Sequence, residues 1–116
     1  MKYICLIYED ETLVPSRPEE EMNEIMGAYF AFTNEVQAAG KHLGGEALMP
    51  TETATTVTIR DGNRVTTDGP FVETKEQLGG FYLLDCENLD EAIELASKIP
   101  SAKWGAIEVR PIMVFD

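Results

Sequence analysis

The chain has 116 residues, with 21 Asp+Glu against 9 Lys+Arg and a formal net charge of -12 at pH 7. That length predicts one domain over 1–116, able to bury about two-thirds of its unfolded surface in a single core; two domains would leave neither a core of its own. Hydrophobic residues at 44% exclude disorder, and the acid excess excludes nonspecific nucleic-acid binding and attraction to anionic membranes.

In chain order, Lys2 to Tyr8 carries β-branched and aromatic residues on both alternating faces, the pattern of a central strand. The run is too short for a signal segment or a membrane span, so a cytoplasmic protein with no membrane partner is expected. Glu9 to Pro15 reads as a polar connection. Ser16-Arg17-Pro18-Glu19 has the form of a capping box, and Met22, Ile25, Met26, Tyr29, Thr33 and Val36 follow at helical spacing until Gly40 stops the helix. A second strand is predicted from Lys41 to Leu48 and another from Thr53 to Arg60. The Asp61-Gly62 turn then returns the chain along Arg64 to Thr67. Gly79 to Cys86 is again apolar on both faces. Asn88-Leu89-Asp90-Glu91 starts a helix whose stripe of Leu89, Ala92, Ile93, Ala96 and Ile99 ends before Pro100. The last strand is predicted over Ala106 to Phe115, with Glu108 and Arg110 on one face and Ile107 and Val109 on the other.

This order, β-α-β, a hairpin excursion, then β-α-β, is that of an α+β, ferredoxin-like split βαβ fold with an antiparallel sheet. Its two helices cover one face of the sheet, yet the strands at Lys2 to Tyr8 and Gly79 to Cys86 are apolar on both. A homodimer packing sheet against sheet is the expected solution. Two isolated cysteines and one histidine form no standard zinc set, and no phosphate-cradle or dinucleotide spacing occurs, so neither metal nor cofactor is expected.

Asp68-Gly69-Pro70-Phe71-Val72-Glu73-Thr74-Lys75-Glu76, followed by Gly79-Gly80-Phe81-Tyr82, resembles the signature of the YCII-related family in its DGPF branch. Gly44-Gly45-Glu46-Ala47-Leu48-Met49-Pro50 and Glu108-Val109-Arg110-Pro111-Ile112 agree, so the resemblance spans nearly the whole chain. It implies a dimeric α+β barrel of ferredoxin-like subunits. It also implies isomerase, lyase or dehalogenating chemistry, which in a smaller branch uses a His-Asp pair in a cleft. Tyr29 and Ile99 stand where that pair is expected, so this chain departs from the pattern at both positions.

Six residues are candidates for a site. Asp68 either caps its own turn or projects a carboxylate into a cleft as general base, and Phe71 anchors the loop. His42 is the only histidine, the side-chain type that changes charge near neutrality; meeting Asp68, it would suit proton transfer α to a carbonyl. Arg110 and Glu108 either form an intra-sheet ion pair with Glu46 or Lys75, or Arg110 anchors a small acid. Tyr29 and Tyr82 would be walls. Two functional classes stand: a small enzyme moving a proton in a cleft at the dimer sheet face, or a noncatalytic ligand-binding, regulatory or protein-interaction module.

Overall fold

In the computed structural model, which describes residues 1–115, the elements are β1 (Lys2–Glu9), α1 (Glu19–Ala38), β2 (His42–Ala47), β3 (Thr55–Arg60), β4 (Asn63–Asp68), β5 (Gln77–Asp85), α2 (Leu89–Ala96) and β6 (Ala106–Pro111). The main sheet has the order β2-β5-β1-β6 with every neighbouring pair antiparallel, while β3 and β4 form a separate hairpin. This is the ferredoxin-like α+β arrangement.

Strand alternation decides where the core lies. Tyr3, Cys5 and Ile7 of β1 and Gly80, Tyr82 and Leu84 of β5 are buried on the side that carries the helices. Phe32 and Val36 of α1 and Ala92 and Ala96 of α2 close over them. Each large side chain buried there contributes about 1.5–3 kcal/mol. The alternate set, Ile4, Leu6, Tyr8, Phe81 and Leu83, is only half-buried on the opposite face of the sheet. An apolar face thus remains open to a partner.

Local chemistry explains most boundaries. Asp61 (φ 52°) and Gly62 (φ 77°) make the tight turn between β3 and β4 in the left-handed region that Gly and Asp tolerate. Asn88 caps α2, its side-chain oxygen accepting from the Glu91 amide at 2.9 Å.

Three expectations are corrected. Ser16 does not cap α1: residues 11–16 coil into a 3₁₀ helix capped by Asp10, and the Ser16 hydroxyl donates back to the Leu13 carbonyl at 2.7 Å. Pro18, extended and without a side-chain cap, starts α1, and Glu19, Glu20 and Glu21 satisfy its dipole instead. The helix of α2 ends at Ala96 rather than at Ile99, three residues earlier than its apolar stripe suggests, and Ile99 and Pro100 lead into a 3₁₀ turn. The last strand ends at Pro111, just beyond which the Ile112 amide still donates to the Lys2 carbonyl at 2.8 Å, and Met113, Val114 and Phe115 are exposed.

Candidate functional site

A cleft of about 680 Å³ opens beneath the N-terminal half of α1, and part of its floor carries no side chains. Gly80 lies on the helix side of β5, and Gly45 and Ala47 face the same way on β2. A Cβ on Gly80 would stand 2.8 Å from the Glu46 carbonyl oxygen, and one on Gly45 would stand 2.7 Å from that of Phe81. The two backbones therefore approach too closely for any larger residue at either position. Above this floor Met22, Ile25 and Met26 line the cleft, and Met26 stays 51% exposed although it faces it.

Polar groups are few and already placed. The hydroxyls of Tyr82 and Thr33 share a hydrogen bond of 2.8 Å, and the Tyr82 ring is held edge-on by Phe32 at 5.0 Å. Tyr29 bonds the hydroxyl of Ser101, a residue 1% exposed; burial raises the pKa of the Tyr29 phenol and keeps it neutral. His42 stands on the wall, half-buried, its ring edge-on to Tyr82 at 6.1 Å. One end is closed by a charged cluster that the sequence did not suggest. Arg17 has a side chain only 11% exposed, with its guanidinium 3.6 Å from the Glu9 carboxylate and 5.2 Å from the centre of the Trp104 ring. Trp104 in turn donates its indole N–H to Glu9 at 2.6 Å. Among the described residues Glu9 is the one ionic partner of Arg17, so most of its five N–H donors are uncommitted.

The other candidates lie elsewhere. Tyr29, Tyr82 and His42 share the cleft, whereas Asp68, Phe71 and Arg110 do not line it. Asp68 ends β4, exposed, and its turn is held by backbone and by Thr56: the Gly69 amide donates to the Ala54 carbonyl at 2.7 Å, and the Thr56 hydroxyl to the Gly69 carbonyl at 2.7 Å. Gly69, at φ 100°, takes a conformation few other residues adopt. Phe71 is 75% exposed, so it does not anchor the loop in a core formed by the described residues. Glu73 to Glu76 folds on itself, with the Thr74 hydroxyl donating to the Glu76 carbonyl. Arg110 and Glu108, neighbours on the same strand face, pair with each other rather than with Glu46 or Lys75. That face is the open one, opposite the cleft.

Cys5 is no nucleophile, because burial pushes its thiol up to about 11. Among the described residues no three His, Cys, Asp or Glu side chains are grouped to hold a metal ion, and no helix is long and apolar enough to cross a membrane. Arg17 and the glycine floor were the missed features. The available signal was a pair of adjacent glycines in each of two strands that turn out to be neighbours, Gly44-Gly45 and Gly79-Gly80.

Comparison with known proteins agrees with this architecture. The solved structure of 5-chloro-2-hydroxyhydroquinone dehydrochlorinase (TftG) from Burkholderia phenoliruptrix AC1100, in complex with 2,5-dihydroxybenzoquinone, superposes with a TM-score of 0.55. At 16% identity, over 97% of this chain and 94% of that one, it shares the fold. An uncharacterised protein of Rhizobium meliloti (strain 1021) is 42% identical over 118 residues, 99% of this chain and 94% of the relative. The model of the family described as "YCII-related domain" matches residues 1–116. With sheet order, full-length family match and close relative in agreement, the chain belongs to the YCII-related domain family.

Proposed function

We propose that this protein binds a small, planar, largely apolar molecule in the cleft beneath α1 and transfers a proton on it, in chemistry of the isomerase or lyase type. The observation that carries the reading is the glycine floor: Gly45 and Gly80 put no side chain on this part of the sheet, and a cleft of about 680 Å³ lies over it. That volume lies within the roughly 300–1,000 Å³ of small-molecule sites, and a mostly apolar wall with a few directed polar groups is their usual lining. His42 is the proton acceptor in this reading, since Glu9 is engaged by Trp104 and Arg17, and Glu11 by the amide and hydroxyl of Thr51. Arg17 orients an electronegative ligand atom with its free donors, and Tyr29 and Tyr82 are walls. Asp68 and Arg110, both outside the cleft, take no part in this site within one chain. The similar fold of TftG, a dehydrochlorinase solved with 2,5-dihydroxybenzoquinone, supports hydroxylated quinones as first ligands to try.

The same reading places the protein in the DGPF branch on its Asp68-Gly69-Pro70-Phe71 motif. It makes the protein a homodimer through the open sheet face, and puts it in the cytoplasm, where Cys5 and Cys86, both buried and unpaired, stay reduced. One observation favours the noncatalytic alternative: no carboxylate is hydrogen-bonded to His42 among the described residues, so its ring lacks the orienting partner usual for a general base.

One titration separates the two. Trp104, the single tryptophan, touches Arg17 and reports occupancy by fluorescence. With 2,5-dihydroxybenzoquinone and hydroxylated cyclic ketones as probes, saturable quenching is expected, together with catalysed exchange of carbon-bound hydrogen for deuterium. His42→Gln should keep the quenching and lose the exchange by about 10²–10⁴-fold. Quenching without exchange in the wild type establishes the binding module instead. No quenching by any probe, or equal quenching in an Arg17→Met variant with a blocked floor, overturns the site.

A further inference from the structure

The hairpin of β3 and β4 leaves apolar residues uncovered on both faces, Val57 and Ile59 on one and Val65, opposite Thr58, on the other. Thr56 and Thr58 are partly covered, while Val57 and Ile59, on the other face of the strand, are 58% and 60% exposed. The hairpin pairs with no strand of the main sheet. Its register is nonetheless well defined, from Thr55 opposite Asp68 to Arg60 opposite Asn63, and at its root Gly69 donates to the Ala54 carbonyl and accepts from the Thr56 hydroxyl, joining the two strand ends. A two-stranded hairpin alone in water is marginal at best, because it has no layer on which to bury an apolar face. β-Branched residues turned to solvent at alternate positions make sense only if another surface covers them.

The size of the molecule says how much surface is missing. A folded monomer of 12.9 kDa exposes about 6,300 Å², whereas this chain exposes 8229 Å², an excess of about 1,900 Å². Its radius of gyration is 16.3 Å, against about 13 Å for a domain of this length. Obligate homodimers bury on the order of 2,000–5,000 Å² in total, which two such chains could supply from this excess alone. The surface that matches the hairpin in chemistry is present in the same chain: the open sheet face with Ile4, Leu6 and Leu83.

We propose that the hairpin Thr55–Asp68 is an intersubunit arm whose Val57–Ile59 face lies on a second copy of this chain. The inference rests on the homodimer reading above and extends it, because sheet-face packing by itself gives the hairpin no role. The arm adds contact beyond the sheet and ties the Asp68–Phe71 loop, continuous with β4, to the subunit boundary. Phe71 and Val72, both exposed in the single chain, then have a surface to meet.

Sedimentation velocity from nanomolar to tens of micromolar protein tests it, on the wild type and on Val57→Ser/Ile59→Ser, which removes apolar contact without adding charge. A dimeric wild type and a double variant whose dissociation constant rises about a hundredfold are expected. In parallel, amide hydrogen exchange across residues 55–68 of the wild type should slow as dimer forms, a readout that does not depend on the variant folding. A dimeric wild type with an unchanged variant constant and concentration-independent exchange overturns the arm and leaves the sheet-face dimer standing. A wild type that stays monomeric throughout overturns both.

Discussion

The two ends of α1 lie over one sheet and meet it in opposite ways. At the C-terminal end Phe32 and Val36 close on Cys5, Tyr82 and Leu84 and are buried with them. At the N-terminal end Met22, Ile25 and Met26 hang over Gly45, Ala47 and Gly80, and a cleft remains. The helix is continuous and apolar along both halves, so the helix does not cause the difference. Side-chain volume in the strands does: where the floor carries Leu and Tyr it becomes core, and where it carries Gly and Ala it becomes a site.

The contrast predicts unequal responses to truncation, and the largest effect belongs to the packed end. Leu84→Ala empties a position that is fully buried and should cost about 2–5 kcal/mol. In a domain of this size that lowers the melting temperature by roughly 10 °C or more, measurable by calorimetry. Met26→Ala, at the open end, should stay within about 0.5 kcal/mol of wild type because the residue is already exposed there. Equal losses at the two positions would mean that the cleft is closed in solution.

Filling the floor is the converse experiment. Gly80→Val drives a Cβ against the Glu46 carbonyl and Ala47 Cα, both backbone atoms that cannot swing aside. Overpacking of this kind costs about 1–3 kcal/mol, less than the Leu84 cavity. The variant should also abolish the quenching of Trp104 by cleft ligands, as followed by the same fluorescence titration. A variant that folds with wild-type stability would show that β2 and β5 are not as closely apposed as the glycines imply.

These features differ in how far they could be read from residues alone. The strands at Lys2 to Tyr8 and Gly79 to Cys86, the Asp61-Gly62 turn and the Asn88 cap were legible because each is settled by neighbours a few positions away. Ser16-Arg17-Pro18-Glu19 misled for the same reason: a local pattern suggested a cap, while the actual role of Arg17 depends on Glu9 and on Trp104, distant along the chain. Arg110 was half legible. Alternation places it with Glu108, and the same alternation, taken with Ile107 and Val109 turned to the core, puts both on the face away from the cleft. His42, Tyr29 and Tyr82 converge because they lie on elements that the split βαβ order brings together, but the emptiness between them comes from glycines in two strands, which only the pairing of β2 with β5 reveals.

Tyr29 sits at the boundary between the two halves of α1 and gives the smallest and finest test. Its ring lines the cleft, but its hydroxyl reaches into the packed region and satisfies buried Ser101. Tyr29→Phe keeps the wall and removes that bond, so it should cost about 1 kcal/mol while leaving ligand affinity nearly unchanged. Its pH dependence carries a sign. The Tyr29 phenol is raised above its ordinary value because burial disfavours the phenolate, so the unfolded chain releases this proton first as pH rises. Wild-type stability therefore declines from about pH 10 upward through this group, and the variant, lacking the phenol, escapes that part of the decline. The gap between the two proteins, from urea unfolding at each pH, should narrow above about pH 10. A gap that is constant or widens would place the Tyr29 hydroxyl in the solvent of the cleft and move the boundary between core and site one helical turn towards Phe32.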